Sequence, residues 1–298
     1  MSINPHRIQW SIRSQSCSVA GSSATNNQDR AGTTAHMAWV IDGATNLDAV
    51  AVTPLHDDAA WLAEQLDTAL HRPEFHSTVP LADLLRDVCV RIAAQYHRFE
   101  TDRGLSVPMM PSAGLAVIRW DAFGVDYLLL GDCSLSVVSL DKRECKTIHE
   151  TQLGRLDRIA LGRLAAFREQ GLSLEAAQKA IVPLLRQHRQ MMNQDHGYWV
   201  FSLDPEALDH AITGHIDLAS STAFLLASDG FSRLWDTLEV YPSCWEVYED
   251  IEHRGLTAVV ETLRTVENSD LELVRWPRFK KSDDASATVV TFEKSAPP

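Results

Sequence analysis

With 298 residues, 45% of them hydrophobic and 22% charged, the chain can bury a sizeable core. Its 40 acids against 27 bases give a net charge of −13, which argues against a nucleic-acid binder working through a basic surface. Anionic substrates stay open, because bound divalent cations can reverse the local field. Five cysteines (Cys17, Cys89, Cys133, Cys145 and Cys244) are odd in number and form no CxxC pair, so no disulfide framework is expected and a reducing compartment fits. Met1 to Trp10 has no apolar signal core, and no stretch reaches the roughly 18 apolar residues of a membrane helix. The chain therefore reads as soluble and cytoplasmic, with no membrane and no nucleic-acid partner.

Weak alternation over His6 to Ser14 predicts an opening strand, and the polar run Ala20 to Arg30 predicts a loop. Strands are predicted at Met37–Asp42, Ala113–Trp120, Val125–Gly131, Leu135–Leu140, Trp199–Leu203, Ala223–Ser228 and Ala287–Phe292. Between the early strands, Leu55, Leu62, Leu66 and Leu70 fall on one helical stripe of Pro54 to Leu70. Leu81, Leu85, Val88, Ile92 and Phe99 do the same over Pro80 to Glu100. A third helix is predicted from the N-cap Ser173 to about Met192, kinked or broken at Pro183. A fourth spans Thr257 to Glu267. Adjacent strand runs imply mostly antiparallel pairing, and paired amphipathic helices must cover a sheet face. The reading is an α+β sandwich of two stacked sheets flanked by helices. No repeat or low-complexity linker interrupts it, so one domain is expected over 1–295, with a tail at 296–298.

Five aspartates stand out: Asp42, Asp132 and Asp229 where short apolar runs stop, and Asp29 and Asp283 in loops. Each has an ordinary reading as a turn residue, since Asp-Gly is a common hairpin dipeptide and Asn27-Gln28-Asp29 suits an Asx-turn. Several of them at strand ends suggest instead that the fold gathers them at one rim. Two carboxylates about 4 Å apart repel by roughly 4 kcal/mol at an effective dielectric near 20, so gathered acids call for cations. All-oxygen ligation favours Mg²⁺ or Mn²⁺. Glycine at 43 has no Cβ and lets its own carbonyl approach such an ion. No HExxH, close His-x-His pair, Walker A or dinucleotide fingerprint competes with this reading.

In order and spacing these segments resemble the type 2C (PPM superfamily) metal-dependent serine/threonine protein phosphatases. Asn27-Gln28-Asp29 is similar to that family's Asn-Glu-Asp, and Val40-Ile41-Asp42-Gly43 to its strand ending in Asp-Gly. Pro111-Ser112-Ala113-Gly114 takes the place of its small-residue strand, and Leu130-Gly131-Asp132-Cys133 that of Val-Gly-Asp-Ser. Leu226-Ala227-Ser228-Asp229-Gly230-Phe231 and Asp283-Asp284-Ala285-Ser286 match its two C-terminal motifs. The likeness runs from about Arg7 to Phe292. It implies a four-layer α/β/β/α sandwich and a helical, flap-like insertion around 151–197.

The resemblance also implies a centre of two Mn²⁺ or Mg²⁺ ions with Asp42, Asp229 and Asp283 as direct ligands and Gly43 giving its carbonyl oxygen. Asp29 would act through metal-bound water, and Asp132 matches the position that helps hold a third ion in members that have one. A hydroxide bridging the ions would attack phosphoserine or phosphothreonine in a phosphoprotein substrate. A serine/threonine kinase, or the target of one, is the implied class of partner.

Two departures weaken the pattern. Ala44 replaces a His or Met of the family and cannot serve as a general acid. Ala24 stands where many members carry the arginine that holds the phosphate; Arg13 and Arg30 are the candidates to replace it. These departures leave an alternative, a phosphatase-like regulatory or binding module with little turnover. Cys133 reads as a packed small residue. Arg275, Arg278, Lys280 and Lys281 form a basic cluster before Asp283 that either draws in phosphate or is a solvated loop. His196, Tyr198 and Trp199 are candidates for substrate contact or for core.

Overall fold

The computed structural model describes residues 10–294 except 24, 46, 48, 49, 106–108 and 219. The expected strand residues before Trp10, the position of Ala24, and the 296–298 tail lie outside the described residues. Among the described residues ten strands form two five-stranded sheets. One sheet has the order β1 (Trp10–Val19), β10 (Ala285–Lys294), β9 (Thr222–Ala227), β6 (Ser134–Ser139), β7 (Glu144–Ile148). The other runs β2 (Asp29–Thr33), β3 (Met37–Gly43), β4 (Ala113–Trp120), β5 (Gly124–Leu130), β8 (Ile212–Asp217). Among the described residues every pairing is antiparallel.

Side-chain alternation along the strands builds the layers. On β3, Met37, Trp39 and Ile41 point to α1 (Asp58–Leu70) and α2 (Leu81–Arg103), while Ala38 and Val40 point between the sheets. On β9, Ala223 and Leu225 face α5 (Asp229–Asp236), α6 (Cys244–Arg254) and α7 (Leu256–Asn268), and Phe224 and Leu226 face inward. The result is helices, sheet, sheet, helices. α3 (Gln152–Glu169) and α4 (Leu174–Arg189) pack on each other through Ala160, Leu164, Ala177 and Ile181, with Phe279 against them.

Several expectations need correction. The sequence does not predict β2, β7 and β8 as strands, and all three are sheet edges, paired on one side only, where few apolar residues are required. Trp199–Leu203 is not a strand: the Val200 N–H goes to Asn193 Oδ1 (3.0 Å), leaving an isolated bridge between Phe201 and Ala113. The first helix begins at Asp58, not Pro54, because Asp57 caps it by accepting from the Ala60 N–H (3.0 Å). Leu55 therefore lies outside the stripe, 41% exposed. α4 runs unbroken through Pro183, which is exposed, so the lost bond to Lys179 falls on a wet face. Cys145 and Cys244 form a disulfide after all: α6 packs on β7 and brings their Cα atoms to 6.1 Å despite a separation of 99 residues. Among the described residues, no helix is long and apolar enough to cross a membrane.

Candidate metal centre

The pleat decides where the acids go. Two residues beyond Val40, Asp42 falls on the same side of β3, at the rim of the inter-sheet layer. Asp29 stands opposite it on β2 and Gly114 opposite it on β4. A Cβ on Gly114 would come within 2.6 Å of Asp132 Oδ1, so the small-residue strand makes room for that carboxylate. A Cβ on Gly43 would meet the Gln28 carbonyl oxygen at 2.5 Å. Asp229 opens α5, and its N–H donates to Asp42 Oδ2 (3.3 Å). Asp42, Gly43, Asp132, Asp229 and Asp283 line one cleft of 240 Å³, with Asp29 buried.

These acids do not share one electrostatic state. Burial, then the neighbouring acids, pushes Asp42 and Asp132 well above the usual carboxylate range. Burial and Asp284 push Asp29 up to about 8, and its Oδ2 has no hydrogen-bond partner. Asp229 is also raised by burial, with Arg233 pulling the other way. Asp283 is the exception. Burial pushes it up, but Lys280 and Arg233 beside it hold it below its ordinary value.

Similar solved structures agree on the architecture. PppA, described as a key regulatory component of the T6SS in Pseudomonas aeruginosa, superposes with a TM-score of 0.55 at 18% identity, over 95% of this chain and 98% of that one. The catalytic domain of the serine/threonine phosphatase PstP, solved with two manganese ions, gives 0.55 at 16% identity over 96% and 100%. The PPM Ser-Thr phosphatase MsPP of Mycobacterium smegmatis gives 0.52 at 15% identity over 95% and 98%. The fold is that of the PPM phosphatases. No family model and no curated protein matches the chain.

Against the PPM resemblance, the fit to a divalent ion differs along the cleft. At the Asp42 end the donors are carboxylate oxygens, and the orphaned Asp29 Oδ2 behind them is buried without compensation, which suits a hard cation. At the Asp283 end both oxygens are already paired: Oδ2 accepts from Arg233 Nη2 (2.9 Å) and Oδ1 from Lys280 Nζ (2.9 Å). Among the described residues, no three His, Cys, Asp or Glu side chains stand arranged to hold an ion. Asp284 is a structural clip whose two oxygens accept from the backbone N–H groups of Gly21 (2.8 Å) and Gln28 (2.6 Å).

The cations around the cleft are not the expected ones. Arg13 is tied to Glu252 and Glu293, and Arg30 donates to the Asn27 and Asp29 carbonyls; neither lines the cleft. The basic cluster splits, because Arg278 is buried against Asp270 (2.9 Å), Arg275 stacks over Trp276, and Lys280 alone reaches the acids. Three cleft residues escaped the sequence reading. Arg233 stands one turn after Asp229 on the inward face of α5, a spacing that was visible. Arg189, at the end of α4, donates to Ser112 Oγ (2.7 Å) and the Thr45 carbonyl (3.0 Å). Asp157 projects from α3, and burial with Asp229 nearby raises it to about 6, against the pull of Arg233. Tyr198 lines the cleft, Trp199 stacks on His210, His196 is exposed, and Cys133 is fully buried.

Proposed function

We propose that the protein hydrolyses phosphoserine and phosphothreonine in proteins with the help of a divalent cation. The observation that carries this reading is the set of half-buried carboxylates, Asp42, Asp132 and Asp229, gathered in one cleft beside Lys280 and Arg189. Asp42, Asp132, Asp229 and the Gly43 carbonyl would have to draw closer together to hold the cation, which when bound polarises a phosphoryl oxygen and acidifies water.

The remaining chemistry belongs to the chain's own side chains. Lys280 Nζ, 3.0 Å from Thr45 Oγ1, and Arg189, on the Thr45 carbonyl, put two positive charges on either side of Thr45. That pair suits the oxygens of a phosphate monoester, with Arg189 able to offer two parallel donors. Ala44 has no proton for the leaving alkoxide. Asp157, held near 6, is a cleft group that keeps a proton within reach of neutral pH. The helices α3 and α4, which bring Asp157 and Arg189, fall in the segment 151–197 and would act as its flap.

The test is phosphate release from a phosphothreonine peptide in millimolar Mn²⁺, compared with EDTA and with Asp229→Asn. Release that needs both Mn²⁺ and Asp229 supports the reading. The pairing of Asp283 with Arg233 and Lys280 favours a second reading, a module that binds phosphoprotein with little turnover. Tight peptide binding without release would select it.

A further inference from the structure

We infer that Arg233 and Lys280 supply, from inside the chain, the positive charge that a second divalent ion would supply at Asp283, leaving room for an ion at the Asp42–Asp132 end only. The inference rests on the reading of the cleft as a cation-dependent phosphate site and sharpens it.

Geometry carries the argument. Arg233 is 8% exposed, and its guanidinium sits among three acids: Nη2 lies 2.9 Å from Asp283 Oδ2 and 3.6 Å from Asp229 Oδ2, and Nη1 lies 3.9 Å from Glu267 Oε1. Lys280 Nζ takes the other Asp283 oxygen at 2.9 Å, and the Asp284 N–H donates to that same oxygen at 3.1 Å, a third donor to the carboxylate. Glu267, with no exposed surface, is held in turn by Arg264 (2.8 Å). Asp283 and Glu267 thus each meet a base without an added ion, Arg233 and Lys280 at the one and Arg264 at the other. An ion bound to Asp283 would stand within a few ångströms of both a guanidinium and an ammonium, and the repulsion scales with its double charge. Moving Arg233 away would break its pairing with Asp283 and leave Glu267 with Arg264 as its one base among the described residues. At the other end, among the described residues, none of Asp29, Asp42 and Asp132 has a Lys, Arg or His partner in an ion pair.

Lys280 and Arg233 are therefore charge-compensating residues, and their test reads ion number rather than turnover. Equilibrium dialysis against Mn²⁺, with atomic absorption on the full chain, is expected to find one ion per wild-type chain and two in Arg233→Met/Lys280→Met. Arg233→Lys should return the number to one. Two ions in the wild type, or no gain in the double variant, would overturn the inference. No ion in the wild type with one gained in the double variant would remove the cation-dependent reading of the site and leave the compensation standing. Circular dichroism checks that the variants fold. Should the double variant not fold, Asp283→Asn decides: its Mn²⁺ affinity is expected to stay within about twofold of wild type, and a loss of about tenfold or more, the least expected for a residue that orients or binds the ion, refutes the inference.

Discussion

The two ends of this cleft are made of the same residue type and have opposite electrostatics. Around Asp283 each acid meets a base, and its carboxyl is held below the usual range with Lys280 and Arg233 offsetting burial. Around Asp42, Asp29 and Asp132 burial and mutual repulsion raise every carboxyl, and Asp29 Oδ2 has no partner. Clustered acids do not by themselves specify how many cations a site takes. What matters is whether the chain brings its own.

The difference can be broken most directly by removing a base. Arg233→Met should destabilise the metal-free protein by roughly 3–5 kcal/mol in urea unfolding, the range for a buried pair that loses one partner. Asp42→Asn, which removes a carboxyl whose ionisation burial and its acidic neighbours oppose, should leave that stability unchanged or raise it. Equal losses in the two variants would erase the distinction between the ends.

Acidity sharpens it next. A raised carboxyl keeps its proton in the folded state after the unfolded chain has lost it, so its contribution falls as pH rises. With Asp29 near 8, against 3.8 when unperturbed, the metal-free protein should lose on the order of 3 kcal/mol between pH 5 and pH 8. Asp29→Asn should flatten that slope. Asp283 behaves in the opposite sense: its contribution is present above the unperturbed value and disappears as pH falls through the lowered one. A denaturation series showing stability rising from pH 5 to 8 in EDTA would contradict the assignment at Asp29.

Effects on turnover are expected to be smaller in free energy. Asp229→Asn should cut Mn²⁺-dependent phosphate release by about 100-fold or more, at or beyond the upper end of what removing a merely orienting residue does. Arg189→Ala should raise the KM for a phosphothreonine peptide by about tenfold, consistent with one lost charge-assisted hydrogen bond of about 1.5 kcal/mol. A kcat loss at unchanged KM would move Arg189 away from substrate binding.

Much of this architecture is legible along the chain, and the exceptions share a cause. Interior strands such as β3 and β9 carry continuous apolar runs because both faces are covered, and they stand out. The edges β2, β7 and β8 carry Asp-Arg-Ala-Gly-Thr, Glu-Cys-Lys-Thr-Ile and Ile-Thr-Gly-His-Ile-Asp, which a loop could equally use. Asp42, Asp132 and Asp229 were visible because each ends an apolar run, a local signal. Their cations were not, since Arg233 and Asp283 meet across 50 residues and Arg189 reaches Thr45 across 144, pairings that only the folded chain sets. The Cys145–Cys244 bridge escaped for the same reason.

The comparison between the two ends is tested most directly by a crystal soaked in Mn²⁺ and examined for anomalous density. One ion beside Asp42 and Asp132, with Arg233 and Lys280 still on Asp283, is the expected result. Two ions, with Arg233 displaced from Asp283, would contradict the account.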